Sequence, residues 1–240
     1  MELQFGTHPY GIKPLGDSVG IDCNCRNDGL GQLSVLSDEV IIELLQHCPV
    51  HTLTLFSAVS QAAYAFANYE ELWRDLVIRK TKGDFGFRRD WKTTYVHTVD
   101  ASRTDTWERR LRIRNFYSDY LFQAWYCASV RLADAWVCRQ NIDRREGLSR
   151  ESFIEEYERP NRPVIITDVV RAWPAFAKWS DKYLLETSGS YRFAAAAARM
   201  SMAQYLQYAQ QTREERPLYL FDHEFGEAVP QLAADYSVPS

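Results

Sequence analysis

The sequence predicts an α+β fold, with a helical N-terminal part followed by a part that mixes helices and strands. Residues 33–80 carry apolar side chains at steps of three and four, which is the spacing of one buried helix face. Residues 163–168 and 217–222 are instead short apolar runs, the pattern of buried strands. Helices and strands that occupy separate stretches are typical of the α+β class.

The composition is that of a chain that can bury a core. Of 240 residues, 46% are hydrophobic, and the formal net charge is -4. This balance excludes a disordered protein and gives no whole-chain attraction to nucleic acid or to a membrane surface. No apolar run approaches the roughly 20 residues that span a bilayer. The five cysteines include no Cys-x-x-Cys pair and a signal peptide is absent, so we expect reduced thiols and a location in the nucleus and/or cytoplasm.

The N-terminal residues divide into a leader and a group of short helices. Residues 1–32 are rich in glycine and proline and follow no helical or strand period, which predicts a flexible leader. Ser37 or Asp38 can cap a first helix, which Pro49 ends. We expect a second helix through Leu53–Phe66 and a third over residues 70–79. Three such helices bury little surface, so they form either an ordinary helical subdomain or a unit that a partner completes.

Residues 33–80 resemble an F-box. Leu36–Leu45, Leu53–Ser60 and Glu71–Leu76 match the opening, middle and closing helices of that family in order. The family usually has proline where this chain has serine at position 37, so we expect slightly weaker partner binding. The resemblance implies docking of a Skp-type adaptor and, through it, of a cullin ubiquitin-ligase complex. The residues expected to contact the adaptor are Leu36, Ile41, Leu44, Leu45, Leu53, Phe56, Val59, Leu72 and Trp73.

Residues 81–145 combine many aromatic residues with a basic run between Arg109 and Arg114. Basic residues interleaved with aromatic ones are one way to contact single-stranded nucleic acid. Acidic residues lie close by in the sequence, however, and the aromatic residues have the character of a core. We therefore favour a mostly helical linker, and nucleic acid is the less favoured partner.

From about residue 115 to the end, the order of motifs resembles the N-terminal half of a Jumonji C domain. The similarity is to the branch of arginine demethylases and lysyl-hydroxylases once called the phosphatidylserine receptor, and we place the domain at residues 146–240. The family expects a strand near Phe193–Arg199, whereas the alanine run there favours helix, so that segment stays open. The motifs are Phe116–Phe122, Arg162–Ile166, Trp173, Lys178–Leu184, Met202–Leu206, Pro217–Asp222 and Asp235–Pro239.

The resemblance implies a double-stranded β-helix of the cupin type that uses Fe(II) and 2-oxoglutarate. Such iron sites consist of two histidines and one carboxylate, with open metal positions. From residue 115 onward the chain has one histidine, His223, and no His-x-Asp or His-x-Glu. We therefore expect an incomplete domain with no catalytic or metal-binding residue and no cofactor. Adjacent carboxylates such as Glu70 and Glu71 point in different directions on a helix, so we interpret them as solvated.

The main functional prediction is an F-box adaptor that recruits an unknown protein substrate to a ubiquitin ligase. The alternative is an Fe(II)- and 2-oxoglutarate-dependent protein oxygenase whose catalytic half lies beyond residue 240. A third hypothesis is a non-catalytic Jumonji scaffold. A reading frame that continues after Ser240 with His-x-Asp and a later histidine would favour the oxygenase.

Overall fold

A computed structural model describes residues 8–20, 23–103, 111–214 and 216–237 of the chain. Within these ranges the fold is rich in helices and contains two small two-stranded sheets, in agreement with a mixed class. The chain divides into two compact units, and the domain limits predicted at residues 32, 80 and 145 stay predictions. The helical unit comprises the described residues up to Arg131, with Ala195–Met200 and Gln204–Tyr219. The C-terminal unit comprises Leu132–Ala194, Ser201–Ala203 and the described residues from Leu220 onward.

The helices are mostly short, and none within the described ranges is long and apolar enough to cross a membrane. The cap predicted at Ser37 is confirmed, and Ser149 and Ser180 cap later helices in the same way, because each hydroxyl accepts a hydrogen bond from an amide of the first helical turn. The first helices are α1 (Cys25–Leu30), α2 (Asp38–Gln46), α3 (Val50–Phe56), α4 (Gln61–Ala67), α5 (Glu70–Thr81), α6 (Trp91–Val99) and α7 (Asp119–Ser129). After them come α8 (Asp134–Val137), β1 (Asp143–Arg145), α9 (Arg150–Phe153), β2 (Val164–Ile166), α10 (Pro174–Lys178), α11 (Asp181–Ser188), β3 (Arg192–Ala195), β4 (Ala198–Ser201), α12 (Met202–Gln211), α13 (Phe225–Ala228) and α14 (Pro230–Ala233).

The single helix predicted through Leu53–Phe66 is wrong, because this segment forms two helices, α3 and α4. Ser60 begins α4 by accepting a hydrogen bond from the amide of Ala63 at 3.0 Å. Its hydroxyl also donates to the carbonyl of Gly29 at 2.6 Å. A serine side chain that bonds the backbone competes with continuation of a helix, and apolar spacing does not reveal this. The expected three helices are therefore four, α2 to α5.

The segment predicted to be a flexible leader contains regular structure in its described part. Leu15–Ser18 form a 3-10 turn, and Asn24 caps α1 by accepting a hydrogen bond from the amide of Arg26 at 3.0 Å. The Arg26 guanidinium bonds the carboxylate of Asp38 at 2.7 Å and the carbonyl of Leu36 at 2.6 Å. These bonds tie the segment to the start of α2, which a composition rich in glycine and proline does not indicate.

An aromatic cluster lies in the core of the helical unit. The ring centroid of Trp91 is 5.3 Å from Phe85 and 5.0 Å from Phe87, and Tyr208 is 5.1 Å from Phe87. Trp91 is completely buried. Edge-to-face contacts of this kind add to the stabilisation that comes from apolar burial. Because Tyr208 lies in α12, part of the Jumonji-like sequence belongs to the core of the helical unit.

The strand predicted over residues 163–168 is present as β2, which pairs in parallel with β1 and places Ile165 opposite Arg144. The expectation that it is buried is wrong, because Ile165 leaves 36% of its surface exposed. Residues 217–222 are extended rather than an assigned strand, and the amide of Phe221 donates to the carbonyl of Ala194 at 3.0 Å. The described residues therefore do not form a double-stranded β-helix.

The ambiguous alanine run forms a hairpin. β3 and β4 make the second sheet, and Ala196 between them has a φ of 50°. Burial alternates along the strands, with Phe193 and Ala195 buried in β3 and Ala198 and Met200 buried in β4. This period of two is that of a strand, and tertiary packing here overrides the helix propensity of alanine.

Candidate functional site

The described residues do not bring together ligands for iron. No group of three or more histidine, cysteine, aspartate or glutamate side chains within them is placed to hold a metal ion. His223 belongs to the C-terminal unit and is exposed, with its Nε2 atom 3.9 Å from Oε1 of Glu224. The other four histidines lie in the helical unit. One imidazole beside one carboxylate does not fit a set of two histidines and a carboxylate. The expectation that this chain needs no cofactor stays a prediction.

The residues predicted to bind an adaptor divide into buried and exposed sets. Leu44 and Val59 are exposed, with 50% and 72% of their surfaces accessible. Trp73 is buried and donates its indole N–H to the carbonyl of Ala67 at 2.8 Å, which is a role in folding. Replacing a buried member would therefore disturb the fold as well as any partner. The buried members are Ile41, Leu45, Leu53, Leu72 and Trp73, and the half-buried ones are Leu36 and Phe56.

Two Jumonji-like motifs of the C-terminal unit meet at one carboxylate, Asp235. Asp235 is buried and accepts hydrogen bonds from Lys178 Nζ at 2.7 Å, from the indole N–H of Trp179 at 3.2 Å and from the hydroxyl of Tyr183 at 2.6 Å. Lys178 ends α10, Trp179 follows it, and Ser180 caps α11, which carries Tyr183, so all three donors lie close to the junction of the two helices. The residues quoted as separate motifs in the sequence are thus one hydrogen-bonded cluster in space.

The hydrogen bonds also set the protonation of this cluster. The bond from Lys178, followed by that from Tyr183, holds the pKa of the Asp235 carboxyl below its ordinary value of 3.8. The same bonds raise the pKa of Lys178 and of Tyr183. The cluster therefore consists of a carboxylate, an ammonium and a neutral phenol at neutral pH. It holds α10 and α11 against the segment that contains Asp235, and it does not act as an acid or base.

A second buried carboxylate, Asp222, organises the end of the Pro217–Asp222 motif. Its Oδ2 atom accepts hydrogen bonds from the amide of Ala194 at 2.8 Å and from the hydroxyl of Tyr191 at 3.1 Å. Its Oδ1 atom accepts from the amide of Glu224 at 2.8 Å. Asp222 thus connects the motif to β3. Although it is adjacent to His223 in the sequence, its carboxylate is buried and is not a surface group.

A cavity of about 330 Å³ opens within the helical unit. Tyr69 and Trp125 line it, and the Trp125 ring lies 5.3 Å from the ring of His8, edge to face. Sequence reasoning missed this site, because its walls lie far apart along the chain and form no local motif. Its lining residues lie within 8–12, 65–71, 87–90 and 121–129, together with Arg213, Glu214 and Arg216.

Four carboxylates line this cavity, and they are largely withdrawn from solvent. The side chains of Glu71, Asp90 and Glu214 expose 19%, 9% and 10% of their surfaces, and Glu70 is half-buried. The interpretation of Glu70 and Glu71 as solvated is therefore wrong, because the loops that pack over α5 cannot be read from helical spacing. Burial raises the pKa of Tyr69, and the negative charge of Glu71 raises it further.

The arginines that line the cavity lie at its solvent side. Arg89 exposes 45% of its side chain and bonds Asp90 at 3.0 Å. Arg213 and Arg216 are exposed residues of the segment that follows α12. The cavity is thus lined by carboxylates, aromatic rings and guanidiniums, and the arginines are more exposed than the carboxylates.

Residues 149–240 match the family model of the cupin-like domain. Over 245 residues the chain is 42% identical to the arginine-specific demethylase JMJ22 of Arabidopsis thaliana, an alignment that covers all of this chain and 48% of that relative. It is 33% identical over 220 residues to the lysine-specific demethylase JMJ21 of the same plant, which covers 89% of this chain and 23% of the relative. It is 35% identical over 111 residues to the bifunctional arginine demethylase and lysyl-hydroxylase psr-1 of Caenorhabditis elegans. That alignment covers 42% of this chain and 28% of the relative.

The chain therefore carries a cupin-like, Jumonji C-type region similar to arginine demethylase and lysyl-hydroxylase proteins. It spans about half the length of JMJ22 and a smaller share of the other two relatives. The similarity to JMJ22 extends over the helical unit as well as the C-terminal unit, because the alignment covers the whole chain.

Proposed function

We propose that this chain is part of a 2-oxoglutarate-dependent oxygenase that modifies arginine or lysine side chains of a protein. The observation that carries the proposal is the cluster around Asp235, in which residues quoted for the Jumonji resemblance meet as hydrogen-bond partners. The names of the similar proteins, two demethylases and one demethylase and hydroxylase, support the same class of reaction.

The cluster supports the proposal because its members depend on one another. Asp235 lies more than 50 residues from its partners in sequence, and a buried carboxylate without donors would be costly. Lys178, Trp179 and Tyr183 belong to one motif of the Jumonji resemblance and Asp235 to another, so these two motifs are packed together in this chain. The cluster positions helices, and no group of described residues is placed to hold iron.

A chimera tests the proposal directly. Residues 1–240 are joined to the part of JMJ22 that follows its aligned half, and the product is assayed with peptides that carry methylated arginine or lysine. We expect iron-dependent conversion of 2-oxoglutarate to succinate together with loss of methyl groups, measured by mass spectrometry. JMJ22 itself is the positive control. A chimera that folds, as judged by cooperative unfolding, but converts no 2-oxoglutarate would contradict the proposal.

Docking of a Skp-type adaptor is a second candidate function. It is favoured by one observation, namely that Leu44 and Val59 of the F-box-like segment are large apolar side chains exposed to solvent. Exposed apolar side chains of this size are candidates for a protein interface. The cullin complex and the protein substrate that an adaptor would bring are part of the same proposal.

The adaptor test uses these exposed residues, because the buried ones report on folding. We expect Leu44→Lys and Val59→Lys each to reduce capture of a purified Skp-type adaptor while thermal unfolding stays unchanged. Val99→Lys is the matched control, since Val99 is 59% exposed on α6, outside the F-box-like segment. Equal capture by all three variants and the unmodified chain would contradict adaptor docking through these residues.

A further inference from the structure

We propose that Cys23 and Cys25 form a redox-sensitive dithiol, which a peroxide oxidises to a disulfide that loosens α1 from the start of α2. All residues on which the proposal rests belong to the helical unit, so it does not depend on the proposed oxygenase function or on adaptor docking. It follows from three observations: the two cysteines flank an extended residue, Asn115 contacts both of them, and the residue between them caps α1.

The two thiols lie on the same side of the chain. Asn24 between them has a φ of -115° and a ψ of 111°, which is an extended conformation. The side chains before and after an extended residue point to one face of the chain. The side-chain amide of Asn115 donates to Sγ of Cys23 at 3.2 Å, and the carbonyl of the same residue accepts from the amide of Cys25 at 2.8 Å. Both cysteines are free thiols, so one oxidant can convert the pair.

The surroundings of the two sulfur atoms assign them different roles. Cys23 is exposed, whereas Cys25 is half-buried and packs against the core. Burial raises the pKa of the Cys25 thiol, and the charge of Cys23 raises it further, so Cys25 is protonated at neutral pH. The accessible Cys23 therefore reacts first with peroxide, and Cys25 is placed to react with the product.

The reaction needs no oxidant other than the peroxide. The thiolate of Cys23 attacks hydrogen peroxide, the O–O bond breaks, and a sulfenic acid and hydroxide form. The hydroxide takes up the proton that Cys23 has lost. The sulfur of Cys25 then attacks the sulfenic acid, the S–S bond forms, and water leaves. Two thiols and one peroxide thus give one disulfide and two waters, and two electrons pass from the sulfur atoms to the peroxide.

Closing the disulfide disturbs the residues that hold α1. Two residues of extended chain span about 6.6 Å, whereas most disulfides join Cα atoms about 5.5–6 Å apart. Asn24 therefore bends out of its extended conformation. Its side chain then loses the hydrogen bonds to the amide of Arg26, at 3.0 Å, and to the amide and carbonyl of Tyr117, at 3.4 and 3.3 Å. Arg26 transmits this change to α2, because its guanidinium binds Asp38 and the carbonyl of Leu36.

The first experiment treats the full reduced chain with hydrogen peroxide and maps the cysteines by tandem mass spectrometry. We expect Cys23 and Cys25 together to lose two hydrogen atoms, which dithiothreitol restores. Dimedone traps sulfenic acids, and it should label Cys23 at least about fivefold more in Cys25→Ser than in the unmodified chain, because serine cannot resolve the intermediate. Cys138 is the internal control. It is exposed and has no cysteine two residues away, so dimedone should label it equally in both chains.

The second experiment uses hydrogen exchange to test the loosening of α1. In the oxidised chain, peptides that cover α1 should exchange at least about threefold faster, and reduction should reverse the change. Cys23→Ser is the matched control, because its exposed position makes the replacement mild and no disulfide can form. Peroxide should leave its exchange in α1 unchanged. Helix α6 is the internal reference, since none of the bonds that are lost involves it.

Each outcome decides the proposal. A reversible disulfide between Cys23 and Cys25, together with faster exchange in α1, supports it. Equal dimedone labelling of Cys23 in the unmodified chain and in Cys25→Ser, or pairing of Cys23 with another cysteine or another chain, overturns the dithiol. The disulfide without a change in exchange overturns the loosening of α1. Where thermal unfolding shows that Cys25→Ser is not folded, the cysteine map of the unmodified chain alone decides the dithiol.

Discussion

The helical unit and the C-terminal unit are held together in different ways. Among the described residues, the helical unit has a continuous apolar core around Phe66 and Trp91. In its described part, the C-terminal unit has two buried carboxylates, Asp222 and Asp235, each of which accepts at least three hydrogen bonds. Its buried apolar residues are few by comparison: Tyr157, Phe193, Met202, Val229 and Leu232.

The C-terminal unit exposes large aromatic side chains, whereas the exposed large apolar residues of the helical unit are mostly aliphatic. Trp136, Phe176 and Phe221 leave 57%, 68% and 71% of their surfaces accessible. A sheet or helix with an apolar face needs another layer against it. The helical unit thus depends on a larger buried apolar core than the C-terminal unit, in which buried carboxylates link the elements, and this difference predicts different responses to mutation and to pH.

The largest effect is expected in the core of the helical unit. Phe66 is completely buried and meets Phe116 edge to face at 5.9 Å. Phe66→Ala should lower the free energy of unfolding by about 3–5 kcal/mol, because it removes buried area and leaves a cavity. Urea denaturation followed by circular dichroism measures this loss. Leu55→Ala is the control, since Leu55 is 67% exposed, and an equal loss for both variants would contradict the assignment of the core.

The next largest loss of stability is expected where β4 packs against Gly83 in the helical unit. Gly83 has a φ of 92°, and a Cβ atom there would overlap the backbone carbonyl of Arg199. Gly83→Ala should cost about 2 kcal/mol or more in unfolding free energy, since both the backbone conformation and the close approach exclude a side chain. Gly16→Ala meets nothing within 4 Å and should be nearly neutral. A melting temperature of Gly83→Ala equal to that of Gly16→Ala would contradict this packing.

The third effect is confined to the C-terminal unit and depends on pH. The pKa of Asp235 is lowered, so its stabilising contribution is present above the ordinary carboxyl value of 3.8 and is lost as the pH falls through the folded value. The pKa of Lys178 is raised, so its contribution is present below 10.5 and is lost as the pH rises through the folded value. Limited proteolysis should therefore cut the C-terminal unit faster below about pH 4, before the helical unit opens.

Asp235→Asn provides the check on this pH dependence. The variant should be cut faster at neutral pH, because asparagine cannot replace the charge-assisted bond from Lys178. The faster cleavage expected for the unmodified chain at acid pH, which is the acid step, should also be absent from the variant. Cleavage sites in the helical unit are the internal reference. The same acid step in the variant and the unmodified chain would assign it to a group other than Asp235.

The smallest effect is expected at an exposed ion pair of α11. Lys182 and Glu186 lie four residues apart at 3.9 Å, with 84% and 65% of their side chains exposed. Glu186→Gln should change the unfolding free energy by less than about 0.5 kcal/mol, because solvent screens such pairs. A larger loss by urea denaturation would show that the C-terminal unit depends on surface pairs as well as on its buried carboxylates.

Local signals in the sequence predicted local structure well. The caps at Ser37, Ser149 and Ser180 were predictable, because capping depends on a side chain and its own first turn. The division of the middle helix at Ser60 was not, since its hydroxyl also needs the carbonyl of Gly29, 31 residues away. The hairpin at Ala196 was left open for the same reason, because the burial that favours strands there is tertiary.

The candidate sites depend still more on distant contacts. The motifs around Lys178 and Tyr183 were recognised from the sequence, but their convergence on Asp235 requires the fold. The cavity joins Glu71 to Trp125 and to the segment after α12, and no spacing rule connects these positions. Periodicity also assigns an acidic residue at the start of a helix to solvent, and it takes no account of a loop that covers it.

Hydrogen exchange followed by mass spectrometry tests the difference between the two units most directly. The account predicts strong protection of amides in α4 and α6 of the helical unit and weaker protection in α10 and α11 of the C-terminal unit. It also predicts that joining the downstream part of JMJ22 raises protection in the C-terminal unit alone, because the exposed apolar side chains there gain a cover. Equal protection of the two units in residues 1–240, or no gain in the chimera, would contradict it.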